Sequence, residues 1–279
     1  MIKTIKRLIF ILKQMLQKRS KCSFRFLFLG LLYKLINKKT GSCQLNYLNE
    51  EKWDVLIVLD ACRYDYFKKN YKKHLKGELK ALHSPASGTI GWFKKTFNKK
   101  YPNIKLLSTN PHINSQGIEI LGYKATDHFK KDYIIDVWDY GWNKKLNTVH
   151  PEILYKESLK HYDSSKKNIF WFMQPHGPWI GEPSIITSSK NPIEGNDEAV
   201  ISKIRKKQLS KEDFKKAYEG NLKLALKYVE KLINNLPQNI TIFITSDHGE
   251  LLGEYNSYLH YYDLSAPELR KVPLLKIVK

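Results

Sequence analysis

A chain of 279 residues with 42% hydrophobic and 13% aromatic content has enough apolar material for one large core, which excludes a disordered or fibrous polypeptide. Its 48 Lys and Arg outnumber 27 Asp and Glu, a formal net charge of +21, so its field attracts phosphorylated small molecules, anionic glycans, lipid head groups or an anionic membrane surface. The lysines are scattered, and no zinc-finger spacing, RNA-binding aromatic motif or basic-zipper pattern occurs; nucleic acid is therefore not the expected partner.

The segment Met1 to Lys39 is basic and apolar, with no acidic residue. Ile5, Leu8, Ile9, Leu12 and Leu16 recur at roughly helical spacing, and a second apolar run covers Phe24 to Ile36. Arg25 and Lys34 interrupt that run, so neither reaches the ~18 apolar residues of a spanning helix. No small-residue cleavage site follows, and a secretory signal fits poorly. Residues 1–45 are expected to form a basic amphipathic helical appendage. Two readings stand: residues 1–40 lie on an anionic membrane surface, or the helices pack on the domain that follows. Cys22, Cys43 and Cys62 include no CxxC pair, which argues against a disulfide framework or a cysteine zinc site. The expected location is cytoplasmic, peripheral at the inner face of the membrane on the first reading.

Residues 46–279 alternate between strand and helix patterns. Asp54 to Leu59 is a continuous β-prone run ending at Asp60, as expected of a strand buried on both faces. An aromatic, basic helix follows Arg63. A short strand, Leu79 to His83, leads through the small-residue turn Ser84 to Gly88 into a helix, Thr89 to Phe97, with Thr89 at its N-cap. Further strands are expected over Ile104 to Ser108, Tyr133 to Val137 and Asn168 to Met173, the last stopping at Gln174-Pro-His-Gly-Pro178. His150 to Tyr162 suits a helix. Residues 181–210 are polar and read as a flexible insertion near the site mouth. Lys211 to Leu236 is a long amphipathic helix. Asn239 to Thr245 is a strand ending at Ser246-Asp-His-Gly-Glu250, and Val272 to Val278 is the final strand. The pattern predicts one α/β domain: a mostly parallel central sheet flanked by helices on both faces.

In such sheets the carboxyl ends of parallel strands collect ligand-binding loops on one rim. Asp60, the Thr89 turn, His176 and Asp247-His248 all arrive there. Carboxylate and imidazole ligands suit a divalent cation such as Zn²⁺ or Mn²⁺, and Gly249 allows the chain to bend after the adjacent pair. A threonine hydroxyl is a poor nucleophile unless a cation and a helix N-terminus stabilise its alkoxide. Taken singly, Asp60 and Thr89 read as capping residues; their joint occurrence makes the catalytic case. His74, His83, His112, His150 and His161 read as surface or packing residues.

Residues 53–67, WDVLIVLDACRYDYF, and 240–254, ITIFITSDHGELLGE, resemble the first metal aspartate and the carboxy-terminal metal motif of the alkaline phosphatase superfamily, which includes sulfatases and nucleotide pyrophosphatase/phosphodiesterases. The helix before the second motif and Pro267 to Pro273 after it extend the resemblance, which runs from about Trp53 to Lys279. It implies that Asp60, Asp247 and His248 are metal ligands and that Thr89 is the nucleophile and also touches metal. Ser87 is the competing nucleophile. His176 and His260 are implied as substrate-binding residues or second-metal ligands; no aspartate partner for a full second metal set is evident beside them, and Asp127-His128 and Asp139 are the remaining candidates. The cofactor implied is one or two divalent ions, Zn first, with Mn or Ca as alternatives.

Two departures shape the expected reaction. No cysteine stands in the C-x-P-x-R setting that sulfatases convert to formylglycine, and Asp60 is followed by Ala61 where sulfatases usually carry a second aspartate. The chain therefore looks closer to the phosphodiesterase and phosphotransferase branches: a hydrolase or transferase acting on phosphate esters of a glycan, lipid head group or other small molecule. The competing readings are a sulfate-ester enzyme that works without formylglycine and a non-catalytic member binding anionic glycans or membranes.

Overall fold

The computed structural model describes residues 43–186, 197–260 and 264–279. Apart from Cys43 to Leu45, the expected amino-terminal appendage lies outside them. The chain enters through α1 (Gln44–Glu50). The central strands are β1 (Val55–Leu59), β7 (Lys167–Phe172), β8 (Thr241–Thr245), β3 (Ile104–Ser108) and β4 (Ile134–Asp136). With β2 (Glu78–His83) and β11 (Lys271–Val278) they form one seven-stranded sheet in the order β2-β11-β8-β1-β7-β3-β4. All are parallel except β11, which runs antiparallel to both its neighbours. The mostly parallel sheet with flanking helices is the architecture read from the sequence.

The two-residue period of a strand decides which core each side chain enters. Val55, Ile57 and Leu59 join one apolar layer together with Phe170, Phe172, Ile242 and Ile244. Leu56, Val58, Ile169, Trp171 and Phe243 join the other. Because both faces are covered, β1 has no exposed position; this is why VLIVL lacks alternation. Each fully buried Val, Leu or Ile contributes roughly 1.5–3 kcal/mol relative to exposure.

The first layer is closed by α2 (Tyr64–Asn70), α5 (Pro151–His161) and α7 (Lys211–Asn235). Helix α7 begins where the Ser210 hydroxyl accepts the Asp213 amide at 3.0 Å, a capping arrangement that satisfies a first-turn donor. Its buried face runs Phe214, Ala217, Tyr218, Asn221, Leu222, Ala225, Leu226, Val229, Leu232, the spacing of one helix face. The second layer is closed by α1 and by α3 (Thr89–Thr96). Trp92 of α3 packs edge-on to Trp171 of β7 at 5.5 Å, and Phe93 stacks on the same indole at 4.9 Å. Those rings lock the Thr89 helix to the sheet.

The short helix α4 (Val137–Tyr140) and the hairpin β5–β6 (Trp142–Asn143, Thr148–Val149) follow β4. The region read as a flexible insertion, 181–210, contains a packed helix. Helix α6 (Asp197–Arg205) buries Val200, Ile201 and Ile204 with Trp179, Phe214 and Tyr218 in a third apolar cluster. Its apolar residues are diluted by lysine and serine, so their helical spacing is inconspicuous in the sequence; residues 187–196 lie outside the described residues. The hairpin β9–β10 (Leu251–Leu252, Tyr258–Leu259) and the single turn α8 (Pro267–Arg270) complete the fold.

Candidate active site

Parallel registry brings the carboxyl ends of three strands level. Leu59 lies opposite Phe172 and Val58 opposite Thr245, so Asp60 and Ser246-Asp247-His248 leave the sheet side by side. Immediately after Asp60, Ala61 adopts φ 57°, a left-handed conformation that costs a non-glycine residue energy and clusters at functional sites. The turn is held from three sides: Ala61 N donates to Asp247 Oδ1 (3.1 Å), the Tyr218 hydroxyl donates to Ala61 O (2.7 Å), and Cys62 N donates to Ser246 Oγ (2.7 Å).

Asp60, Asp247 and His248 offer ligand atoms that all lie within 4.8 Å of one another, and all three residues are buried. The Thr89 hydroxyl donates to Asp247 Oδ2 at 2.8 Å and lies 3.5 Å from His248 Nε2. Gly88, not Thr89, is the N-cap of α3, and no side chain caps it. The hydroxyl is therefore the first helical residue's, turned into the site instead of back onto the helix.

Each group is oriented by a partner. Asp60 Oδ2 accepts from Asn110 Nδ2 (2.7 Å) and Trp171 Nε1 (2.9 Å), while its buried Oδ1 has no hydrogen-bond partner. His248 Nδ1 donates to Gly249 O at 2.9 Å, which leaves the Nε2 lone pair facing Asp247 Oδ2 at 3.2 Å and Asp60 Oδ1 at 3.9 Å. Asn110 and Trp171 were missed from sequence because one lies just past the end of β3 and the other on β7, and neither carries a motif of its own. Gly249 has no positive φ. A Cβ there would stand 2.0 Å from the Glu268 carbonyl oxygen, so close approach, not a bend, is what requires glycine.

The electrostatics of this group are those of a site that a cation would suit. Burial pushes the Asp247 carboxyl up to about 6, against the lowering effect of the Ala61 amide and the Thr89 hydroxyl. Asp60 is raised by burial and by the neighbouring Asp247 charge. Burial lowers His248 to about 4, so its imidazole is neutral. Two buried carboxylates with an orphaned oxygen and a neutral imidazole fit a divalent ion, whose charge reverses these displacements.

A second group, His176, Glu250 and His260, also has ligand atoms within 4.8 Å. His260 Nδ1 lies 3.2 Å from Glu250 Oε1, and the His260 ring is 5.3 Å from that of His176 and 4.3 Å from that of His248. Glu250 is a member that the sequence reading did not single out, although it closes the SDHGE run. Ser87 lies in the same turn as Thr89, with its Oγ accepting the Leu264 amide at 2.9 Å. His128 stacks on Tyr123 and its Nδ1 lies 3.1 Å from Lys99 O. Among the described residues neither Asp127, His128 nor Asp139 joins a metal-type group. His74 pairs with Glu230 at 2.7 Å and His150 caps α5 through the Glu152 amide.

Comparison with solved structures identifies the fold. The integral membrane protein lipooligosaccharide phosphoethanolamine transferase A from Neisseria meningitidis aligns at TM-score 0.55 and 15% identity, covering 81% of this chain and 47% of that one. The soluble domain of the same transferase aligns at 0.50 and 14%, covering 80% and 75%. The C-terminal periplasmic domain of phosphoethanolamine transferase EptC from Campylobacter jejuni aligns at 0.49 and 16%, covering 81% and 79%. The chain thus spans about half the length of the first. A comparison with curated protein sequences gave no match.

The cytoplasmic, inner-face location expected above is corrected: the solved structures that share this fold are an integral membrane transferase and the soluble domain of that transferase, so the fold gives no support to a cytoplasmic placement. Unpaired cysteines such as Cys43 and Cys62 do not report a compartment, because a core of this size needs no disulfide to hold it. Among the described residues no helix is long and apolar enough to cross a membrane. The sulfatase family model matches residues 97–278, most of the chain, and the chain belongs to the sulfatase family.

Proposed function

We propose that this protein is a metal-dependent enzyme that cleaves or transfers a phosphate ester through a covalent intermediate on Thr89. The observation that carries the reading is the convergence of the Thr89 hydroxyl, at the first turn of α3, on Asp247 Oδ2 (2.8 Å) and His248 Nε2 (3.5 Å), beside the unpartnered Asp60 Oδ1.

Asp60, Asp247 and His248, with the Thr89 oxygen, would hold the ion; this donor set suits Zn²⁺, with Mn²⁺ next and Ca²⁺ least served because of its imidazole. When bound, such a cation lowers the pKa of the hydroxyl and offsets charge developing on the phosphoryl oxygens. The chain's own groups do the rest. Asp247 Oδ2 aligns the hydroxyl through its hydrogen bond, and the N-terminal turn of α3 favours an anionic phosphoryl group. Thr89 Oγ forms a bond to phosphorus as the ester P–O bond breaks; the hydroxyl proton is lost to solvent and the departing alkoxide takes one up, so the phosphoryl group, still bearing its second ester substituent when the substrate is a diester, stays on Thr89. Water, or an acceptor hydroxyl in the transfer reaction, then attacks phosphorus; the Thr89 Oγ–P bond breaks and the hydroxyl is restored. His176, Glu250 and His260 flank this centre and are assigned to the substrate's remaining groups or to a second cation. A lipid- or glycan-linked phosphoethanolamine-type diester, the group named for the transferases that share the fold, is the substrate class proposed.

The test is turnover of an aryl phosphodiester, an aryl phosphomonoester and an aryl sulfate by the zinc-loaded protein and by Thr89→Ala. Phosphoester turnover is expected to fall more than about a thousandfold in the variant, the scale seen when a nucleophile is removed. Full turnover by Thr89→Ala would sink the covalent route. Preference for the sulfate would favour the sulfate-ester reading, and no turnover with no bound metal would favour a binding role.

A further inference from the structure

Helix α7 reaches the site through Tyr218, which holds the Ala61 turn, and through Asn221, which reaches the His176 loop. Asn221 is fully buried and stands next to Gly220, and the loop that carries His176 lies directly on this part of the helix. A Cβ on Gly181 would stand 2.3 Å from backbone atoms of Gly220, and one on Gly220 would stand 2.2 Å from the Glu182 carbonyl oxygen. Two glycines thus allow the loop and helix backbones to touch.

Into this contact Asn221 extends both ends of its amide. Nδ2 donates to the carbonyl oxygens of His176 (3.0 Å), Pro175 (3.2 Å) and Pro178 (3.3 Å). Oδ1 accepts from the amides of Ile180 (3.0 Å) and Gly181 (3.2 Å). A loop with prolines at 175 and 178 is short of donors, so its buried carbonyls need a donor from elsewhere. Of the neutral side chains of this size, only an amide offers donors and an acceptor together. On its other side the loop is anchored where the His176 amide donates to Asp60 O at 3.1 Å. The backbone of His176 is therefore gripped between the helix and the aspartate at the head of the site.

We propose that Asn221 is a positioning residue that sets the His176 imidazole against His260 and Glu250, without itself touching substrate. The proposal rests on the reading of His176 as a substrate- or cation-contacting group. An Asn221→Asp change keeps the shape but turns a carboxylate oxygen toward three carbonyls; Asn221→Ser removes the reach without adding charge.

The full-length wild type, Asn221→Ser, Asn221→Asp, His176→Ala and the double variant Asn221→Ser/His176→Ala are compared in two ways. In aryl phosphodiester turnover, Asn221→Ser is expected to lower kcat/KM by up to about a hundredfold, the scale for a side chain displaced by about 1 Å. In the His176→Ala background the same change is expected to cost less than about twofold, because nothing remains to position. Equal losses in both backgrounds would overturn the proposal. Independently of turnover, the His176 ring resonance, identified by its loss in His176→Ala, is expected to move in Asn221→Ser while those of the distant His74 and His161 stay. An unmoved His176 resonance would also overturn it. If the wild type has no phosphodiesterase activity, the proposed reaction fails and the resonance comparison alone decides the role of Asn221. Should Asn221→Asp not fold, Asn221→Ser carries both measurements.

Discussion

The buried pair of carboxylates makes Asp247→Asn a change that should stabilise the metal-free protein while disabling it. Burial holds the Asp247 carboxyl at about 6, above its ordinary 3.8. A displacement of about two pH units corresponds to about 3 kcal/mol. Because the folded value lies above the unfolded one, the fold prefers the protonated acid. This contribution is fully present below about pH 4 and is lost as pH rises through 6. Asparagine keeps an oxygen to accept the Ala61 and His248 amides that Asp247 Oδ1 accepts at 3.1 and 2.9 Å, and it never ionises. In chelator, Asp247→Asn should therefore exceed the wild type by about 3 kcal/mol at pH 8, near 5 °C in melting temperature for a chain of this length. The gap should close toward pH 4. Zinc should raise the wild-type melting temperature and leave the variant where it was. The assay is thermal unfolding from pH 4 to pH 8, with chelator and with zinc. A gap that does not grow with pH, or a wild type that is the more stable throughout, would refute the argument that Asp247 is a buried charge awaiting a cation.

Two further changes test the supports of the site. Asn110→Ala removes the 2.7 Å hydrogen bond to Asp60 Oδ2 and should weaken zinc binding about 10- to 100-fold by titration calorimetry, as outer-shell losses do; unchanged affinity would mean that Trp171 alone orients the carboxylate. Gly249→Ala drives a methyl to 2.0 Å from the Glu268 carbonyl oxygen and should lower stability in urea by about 1–3 kcal/mol, whereas an unshifted midpoint would show that the α8 turn yields freely.

Much of the site was legible because it lies at strand ends. An apolar run stops where a buried strand meets the rim, so Asp60 and Asp247 announce themselves as the first charged groups after VLIVL and TIFIT. The helix after Gly88 was legible too, one residue displaced at its cap, which matters because Thr89 then spends its hydroxyl on Asp247 and not on the helix. Glu250 was within view but unassigned: its neighbours His176 and His260 come from separate loops, and no spacing along the chain records their meeting. Helix α6 was hidden by its short length, with three buried apolar residues among polar ones, and Asn221 by the ordinary look of one polar residue on an amphipathic helix.

By itself the sequence determined the α/β alternation, the strands that run through the core, and which residue types reach the rim of the sheet, since hydrophobic period and strand ends are local properties of the chain. Only the tertiary structure decided which of those residues meet. Parallel registry sets Asp60 beside Asp247, the Trp92–Trp171 packing brings Thr89 over them, and Asn110 and Trp171 turn the Asp60 carboxylate so that one oxygen faces the site alone. The glycine after His248 is needed for the backbone of a turn nearly twenty residues further along, and the His176 loop is held by a helix over forty residues away. Contacts of that kind are made by packing, which no short segment encodes.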